Sequence, residues 1–258
     1  MIMDKNFDNN IIILEGAISV LSAVYSEYAE VIKIIIKPGK DAPKILSAAE
    51  IKKIELEYRG FDEYEARLGK THGGIIALAK KRVFLTPENL LARAGLHSVA
   101  VIEGIEDPYN LGYAVRALYT QGTGGLIIPE RDFGFSEAVI EKASTGTFYK
   151  MPAAVFKNDA KPELINLLKN NNFTLYCIDK NAPSGSKAKV RDIFDIKFAD
   201  RTAFIIGGEK RGISKDFLRS ADEIVRIPYA NAFAHSLAAQ TAATIVSYEI
   251  HRQRKSVK

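Results

Sequence analysis

The feature that most constrains the fold is a regular alternation of strand-like and helix-like segments in the second part of the chain. Ser98-Val99-Ala100-Val101-Ile102 reads as a strand. Leu111 to Thr120 reads as a helix with Leu111, Ala114, Val115 and Leu118 on one face, and Gly125 to Pro129 as the next strand. Ser136 to Ser144 and Pro162 to Asn170 read as helices, Phe173 to Ile178 and Thr202 to Gly207 as strands, and Ile224 to Ile227 as a short strand. A long helix over Ser236 to Arg252 closes the series. Strands alternating with helices predict a parallel sheet covered on both faces. Ligands of such sheets bind at the carboxyl ends of the strands, so the loops there are the ones to inspect.

The first part is a smaller α/β unit. Glu15 to Glu30 predicts a helix with Ile18, Leu21, Val24, Tyr25 and Tyr28 as its apolar stripe, and Val31 to Lys37 predicts a strand stopped by Pro38-Gly39. Ala42 to Tyr58 predicts a helix and Gly74 to Ala79 a strand. At 258 residues the chain is long for one compact domain and comfortable for two. The boundaries predicted are a domain over 1–82, a linker over 83–97 and a second domain over 98–258.

Composition narrows the class of protein. Apolar residues make up 47% and charged residues 26%, ordinary for a globular protein with a core. No apolar run approaches the roughly 20 residues that span a bilayer, and Met1 to Asn10 lacks the apolar segment of a secretory signal. Cys177 is the single cysteine, so the chain has no disulfide framework and no cysteine cluster for zinc. A cytoplasmic protein is expected. The net charge of +5 fits a phosphate-rich partner without requiring one. Part of the excess lies in His251-Arg252-Gln253-Arg254-Lys255, where a helix end favours cations.

Three loops follow strands. In the first, Glu106-Asp107-Pro108-Tyr109-Asn110-Leu111-Gly112, Asn110 suits a helix cap, and Arg116 stands roughly 9 Å further along the helix axis. An arginine there can fork onto a phosphate. In the second, Gly207-Gly208-Glu209-Lys210-Arg211-Gly212-Ile213, paired glycines let the backbone approach a ligand closely, and Glu209 is either a polar anchor or a solvated turn carboxylate. Neither the dinucleotide fingerprint nor the phosphate loop is present, which disfavours a nucleotide-cofactor oxidoreductase. In the third, Arg226-Ile227-Pro228-Tyr229 leads to Asn231 and then to His235-Ser236-Leu237-Ala238-Ala239-Gln240. Ser236 suits an N-cap, and the Ala- and Thr-rich helix after it suits close packing or dimerisation.

Taken in order, N-L-G-x-x-x-R at Asn110 to Arg116, G-x-E-x-x-G-I at Gly207 to Ile213, and I-P followed by S-L at Ser236-Leu237 resemble the three motifs of the SpoU/TrmH family of RNA ribose 2′-O-methyltransferases. Lys142-Ala143-Ser144-Thr145-Gly146 is similar to the family's K-A-S-x-G segment. The likeness covers about 97–253. Residues 12–82 also resemble the small RNA-recognition domain, related to ribosomal proteins, that many members carry, with Thr71-His72-Gly73-Gly74-Ile75-Ile76-Ala77 similar to the segment that ends it. The resemblance implies an α/β methyltransferase domain with a deep trefoil knot, a homodimer formed through that domain, and S-adenosylmethionine as methyl donor without a metal. It further implies RNA as partner, ribosomal more than transfer RNA.

Carried over by position, Gly207, Ile227 and Leu237 match the family's cofactor contacts, with Gly208 and Gly212 shaping the loop. Arg116 matches the catalytic arginine, Asn110 would orient that arginine or the ribose, Glu209 would organise the same pocket, and Ser236 belongs to the third motif. A guanidinium is normally always charged, so Arg116 either accepts the hydroxyl proton, as the family assignment has it, or positions a phosphate while phosphate or water takes the proton. One departure stands out: the third motif usually reads S-L-N, and here Ala238 replaces the asparagine. Asn231 or His235 are candidates to substitute for it. The alternatives are therefore an RNA- and cofactor-binding protein with little catalysis, a transfer-RNA methyltransferase, or methylation of a base rather than a ribose.

Overall fold

The computed structural model describes residues 10–64, 68–69, 72–131, 136–182, 188–208 and 211–255. Two compact units emerge, one of Met1–Val83 with Asp132–Lys150, the other of Phe84–Arg131 with Met151–Lys258. The chain thus leaves the first unit, begins the second, returns to the first for one helix, and then completes the second.

The first unit opens with β1 (Ile11–Glu15), α1 (Gly16–Val24), β2 (Val31–Ile36), α2 (Pro43–Lys52), β3 (Glu55–Tyr58) and β4 (Ile75–Lys80). Among the described residues these build a four-stranded sheet in the order β1-β4-β2-β3, with β4 antiparallel to both neighbours and β2 parallel to β3. The predicted helix over 15–30 is shorter and begins a residue later, because Gly16 adopts φ +83° and turns strand β1 into α1. Its buried face is Ser19, Val20, Ser22, Ala23 and Val24, while the predicted stripe residues Ile18 and Tyr25 are exposed. The predicted helix over 42–58 stops at Lys52. Lys53 is left-handed at φ 55°, and the alternating Glu55-Leu56-Glu57-Tyr58 becomes β3.

The second unit begins with α3 (Pro87–Leu91), capped by the Thr86 hydroxyl, with Leu90 and Leu91 buried in the main core. The stretch predicted as a linker is thus part of a folded unit. Then come β5 (Ser98–Ile102), α4 (Pro108–Thr120) and β6 (Gly125–Pro129). The chain next supplies α5 (Ser136–Ala143) to the first unit. There Lys142 pairs with Glu15 at 2.6 Å. Gly146, at φ +84°, lies so close to Ser22 that a Cβ would sit 2.1 Å from its Oγ. The K-A-S-x-G segment, expected in the second domain, therefore packs within the first unit.

The remainder is β7 (Ala153–Phe156), α6 (Lys161–Asn170), β8 (Thr174–Ile178), β9 (Lys189–Asp192), β10 (Thr202–Ile206), α7 (Lys215–Ser220), β11 (Glu223–Arg226) and α8 (Ala239–Lys255). The seven described strands form one parallel sheet, ordered β7-β6-β5-β10-β8-β11-β9. Central β5 and β10 are buried at every position, as apolar strands covered on both faces must be. The fold is the α/β architecture anticipated, a small mixed-sheet unit and a parallel-sheet unit. Cys177 is buried in β8. No described helix is long and apolar enough to cross a membrane.

Candidate active site

The carboxyl ends of β8, β10 and β11 carry the second and third loops singled out above. Residue Gly207 follows β10 directly. A Cβ there would lie 2.2 Å from the carbonyl carbon of Gly212, and one on Gly208 would lie 2.6 Å from the carbonyl oxygen of Gly104. Gly208 and Gly212 exchange backbone hydrogen bonds at 3.2 and 2.9 Å, and Gly212 is held at φ +63°. Gly207 and Gly208 thus bring the loop against its neighbours where a side chain would clash, and Gly212 supplies the left-handed turn between them and Ile213. Glu209, between them, lies outside the described residues, as do Lys210 and Thr71.

The third loop is held from two sides. The backbone N–H of Leu237 donates to Tyr229 Oη at 2.9 Å. The Lys180 ammonium donates to the carbonyl of His235 and sits 4.7 Å from the centre of the Tyr229 ring. Those contacts hold Ser236, Leu237 and Ala238 outside the helix, and α8 starts only at Ala239. Ser236 is therefore not the N-cap of α8. The first helical bonds are accepted instead by the Ala238 carbonyl, from Thr241 and Ala242.

A cleft of about 590 Å³ opens between these loops. Gly207, Gly208, Gly212, Ile227, Ser236 and Leu237 all line it, together with Asp179, Lys180 and Tyr229. Tyr229 stands in the third loop without a role read from the sequence, and Lys180 lies outside all three loops. Lys180 could have been found from its place just beyond strand β8, since the strand-end rule applies there equally.

Asn110 and Arg116 line no part of this cleft. The cap of α4 is Asp107, which accepts from the Asn110 N–H at 2.8 Å, with Pro108 in the first turn. Asn110 therefore lies inside the helix rather than at its cap. Its Oδ1 accepts a hydrogen bond from Gln240 Nε2 of α8 at 3.1 Å, which ties the first and third loops together. The Gln240 Oε1 is buried without a hydrogen-bond partner. Arg116 is exposed, on the same outward strip of α4 as Tyr109 and Tyr113. Asn231 and His235 are both exposed, and the His235 ring meets the Phe233 ring edge-on at 5.5 Å.

Residues 97–248, more than half of the chain and inclusive of all three loops, match the model of the SpoU rRNA Methylase family. The chain belongs to the SpoU/TrmH family of RNA methyltransferases. Among SpoU/TrmH relatives, a Staphylococcus aureus (strain MSSA476) protein described as a TrmH family tRNA/rRNA methyltransferase is 28% identical over 232 residues, covering 87% of this chain and 90% of its own length. The SpoU methyltransferase AviRb from Streptomyces viridochromogenes, solved in complex with the cofactor AdoMet, superposes with a TM-score of 0.76 at 21% identity. It covers 96% of this chain and 91% of its own. The AdoMet-bound rRNA methyltransferase from Sinorhizobium meliloti gives 0.75 at 17%, covering 94% and 87%. At these identities the likeness is one of fold, and it extends over both units of this SpoU/TrmH chain.

Proposed function

We propose that this protein transfers a methyl group from S-adenosylmethionine to a ribose 2′-hydroxyl of RNA, and that the RNA is ribosomal. The observation that carries the reading is the glycine-built cleft at the ends of β8, β10 and β11 in a chain of this family. Its size falls within the roughly 300–1,000 Å³ usual for cofactor pockets. Its walls suit the group: tightly folded backbone at Gly207, Gly208 and Gly212, apolar side chains at Ile227 and Leu237, and room left by Ala234, Ala238 and Ala242. When bound there, S-adenosylmethionine supplies a methyl already activated by its sulfonium.

The chain's own task is then to hold the acceptor hydroxyl in line and to help remove its proton. Ser236 offers a hydroxyl from the cleft wall, and Glu209 belongs to the same loop as the glycines. Asn110 is held by Gln240, two residues beyond Ala238, which stands where the family's third motif has an asparagine. Arg116, exposed on α4, is assigned to orient a phosphate, with water or phosphate taking the proton, because a guanidinium stays charged.

A homodimer completes the proposal. Tyr109 and Tyr113 on α4, and Tyr248 on α8, are large, half-exposed side chains, and α4 and α8 pack on one another. A second copy seated there would cover them and enclose Arg116. The knot implied by the family is part of the same reading.

The test is incubation of the protein with labelled S-adenosylmethionine and RNA from cells lacking the gene, against Arg116→Ala. Label is expected in ribosomal RNA as a 2′-O-methylnucleoside. Transfer no greater than that of Arg116→Ala would overturn the enzyme reading. Because Ala238 departs from the motif, an RNA- and cofactor-binding protein without turnover is the second reading, and calorimetry with S-adenosylmethionine separates it from a chain that binds no cofactor.

A further inference from the structure

Helices α4 and α8 pack on one another, and each carries a carboxamide in its first turn, Asn110 on α4 and Gln240 on α8. Gln240 Nε2 donates to Asn110 Oδ1 at 3.1 Å, so two loops 130 positions apart in sequence meet through one amide–amide bond. The start of α8 has a second task. Ala238, Ala239 and Ala242 line the cleft at the ends of β8, β10 and β11, while Gln240 reaches to α4 instead. Successive residues of a helix point about 100° apart, so the same turn sets small side chains toward the donor and an amide toward the first loop.

A carboxamide can turn either its oxygen or its nitrogen toward a neighbour, and only its partners decide which. For Asn110 the backbone is held first, its N–H donating to Asp107 Oδ1 at 2.8 Å. The Gln240 donor then claims Oδ1. A half-turn of the Asn110 carboxamide alone would set Nδ2 against Nε2, donor against donor. Packing does not explain why this position carries an amide. The Gln240 Oε1 is buried and has no hydrogen-bond partner among the described residues. A buried acceptor left unmade costs stability, and a leucine of similar size would avoid that cost. The amide is therefore explained by the bond it donates. Elsewhere in the third loop, Ala238 has no polar side chain, and Asn231 and His235 are exposed.

We infer that Gln240 is a positioning residue for methyl transfer: in place of the amide absent at Ala238, it acts through Asn110 by fixing which edge of that carboxamide faces the reacting groups. The inference rests on the methyltransferase reading above, in which Asn110 orients the ribose or Arg116. Because Gln240 reaches toward α4 rather than into the cleft, its contribution belongs to the chemical step and not to cofactor affinity. A group held a fraction of an ångström or one half-turn out of place slows transfer without loosening the donor.

Variants of the full chain test this, with RNA lacking the modification as acceptor. Gln240→Leu is expected to melt within about 2 °C of the parent or above it, because the orphaned oxygen is gone. It should bind S-adenosylmethionine with a Kd within about twofold of the parent and lower kcat about tenfold. A residue that only supports the fold would do the reverse, and a lowered melting temperature with kcat spared would overturn the proposal. Asn110→Ala is expected to lower kcat too, and Gln240→Leu/Asn110→Ala to lower it no further than the worse single change, as for residues acting as a unit. Losses that multiply would show Gln240 acting by another route, against the proposal. Gln240→Glu keeps the size of the side chain, but its carboxylate cannot donate to Asn110 Oδ1, whereas the protonated acid can. The ratio of its kcat to the parent's should therefore rise as pH falls from about 9 to about 5, and a ratio constant over that range counts against the inference. A parent that transfers methyl to no RNA sinks the methyltransferase reading and this inference with it, while a parent that transfers no faster than Gln240→Leu sinks the inference alone.

Discussion

The side chain that matters most at Gly207 is the one it lacks. With a Cβ only 2.2 Å from the Gly212 backbone, Gly207→Ala must push two pieces of main chain apart. The variant is expected to lose about 1–3 kcal/mol of stability and to bind S-adenosylmethionine far more weakly, both readable from thermal unfolding and calorimetry. Cys177 makes a second prediction. Burial pushes its thiol far above the ordinary range, so a thiol reagent should leave the native protein untouched and react fully once it is unfolded; reaction at native rates comparable to a free thiol would contradict the buried site. The glycines were legible in the sequence because close backbone approach has a residue type of its own. Lys180, Tyr229 and Gln240 were not, since what each does depends on a partner that only folding supplies: Gln240 meets Asn110 across 130 positions of chain. Ser236 misled for a related reason. It has the chemistry of a helix cap, but the Tyr229 hydroxyl captures the next N–H but none of the helix, leaving Ser236 to Ala238 in the cleft wall.

Among the elements, those buried on both faces were the easiest to read. The strands β5 and β10 coincide closely with the apolar runs that predict them, whereas β1, β3, β7, β9 and α7 were missed. Two of these, β1 and β3, are fused in sequence to helices and divided from them only by the backbone turns at Gly16 and Lys53. Helix α5 shows a different limit. It buries two glutamates, Glu137 and Glu141, one turn apart, on a face that a hydrophobic stripe would never place inward. Their company explains it: Tyr149 Oη donates to Glu137 at 2.8 Å, the Arg82 N–H donates to it at 2.7 Å, and the Arg82 guanidinium lies 4.7 Å from the centres of both the Tyr28 and Phe148 rings. Burial raises Glu137 and raises Glu141 from an ordinary 4.5 to about 8. Below about pH 4.5 both the folded and unfolded chains hold the Glu141 proton. Between there and pH 8 only the folded chain keeps it, so its contribution to stability declines as pH rises through that window. Glu141→Gln is expected to flatten this slope and to melt higher than the parent at pH 8, with little difference at pH 5. A parent whose melting temperature climbs steadily from pH 5 to 8, unaltered by the substitution, would contradict the assignment.

At the scale of the whole molecule, charge and oligomeric state carry the expectations. If RNA is the partner of this chain of net charge +5, affinity for it should fall linearly on a log–log plot against salt, with a slope near −0.7 to −0.9 per phosphate neutralised. Salt-independent binding would count against contacts to the RNA backbone. If α4 and α8 form the dimer face, Tyr113→Glu/Tyr248→Glu should shift the mass measured by sedimentation from two chains to one while each chain stays folded. The two-unit plan was legible from the change of pattern along the sequence, but its connectivity was not, because nothing local marks α5 as belonging with strands more than fifty residues before it. That connectivity bears on how the protein is made. Residues 10–83 leave the ribosome well before Glu137, Glu141 and Tyr149, so Arg82 emerges without the carboxylates that it will be buried beside. During synthesis the first unit has to wait, its sheet covered by α1 and α2 but β1 still without α5, while β5, α4 and β6 of the second are translated. A piece cut at residue 83 would carry that unfinished state permanently, whereas the nascent chain leaves it as soon as residue 150 is free to fold.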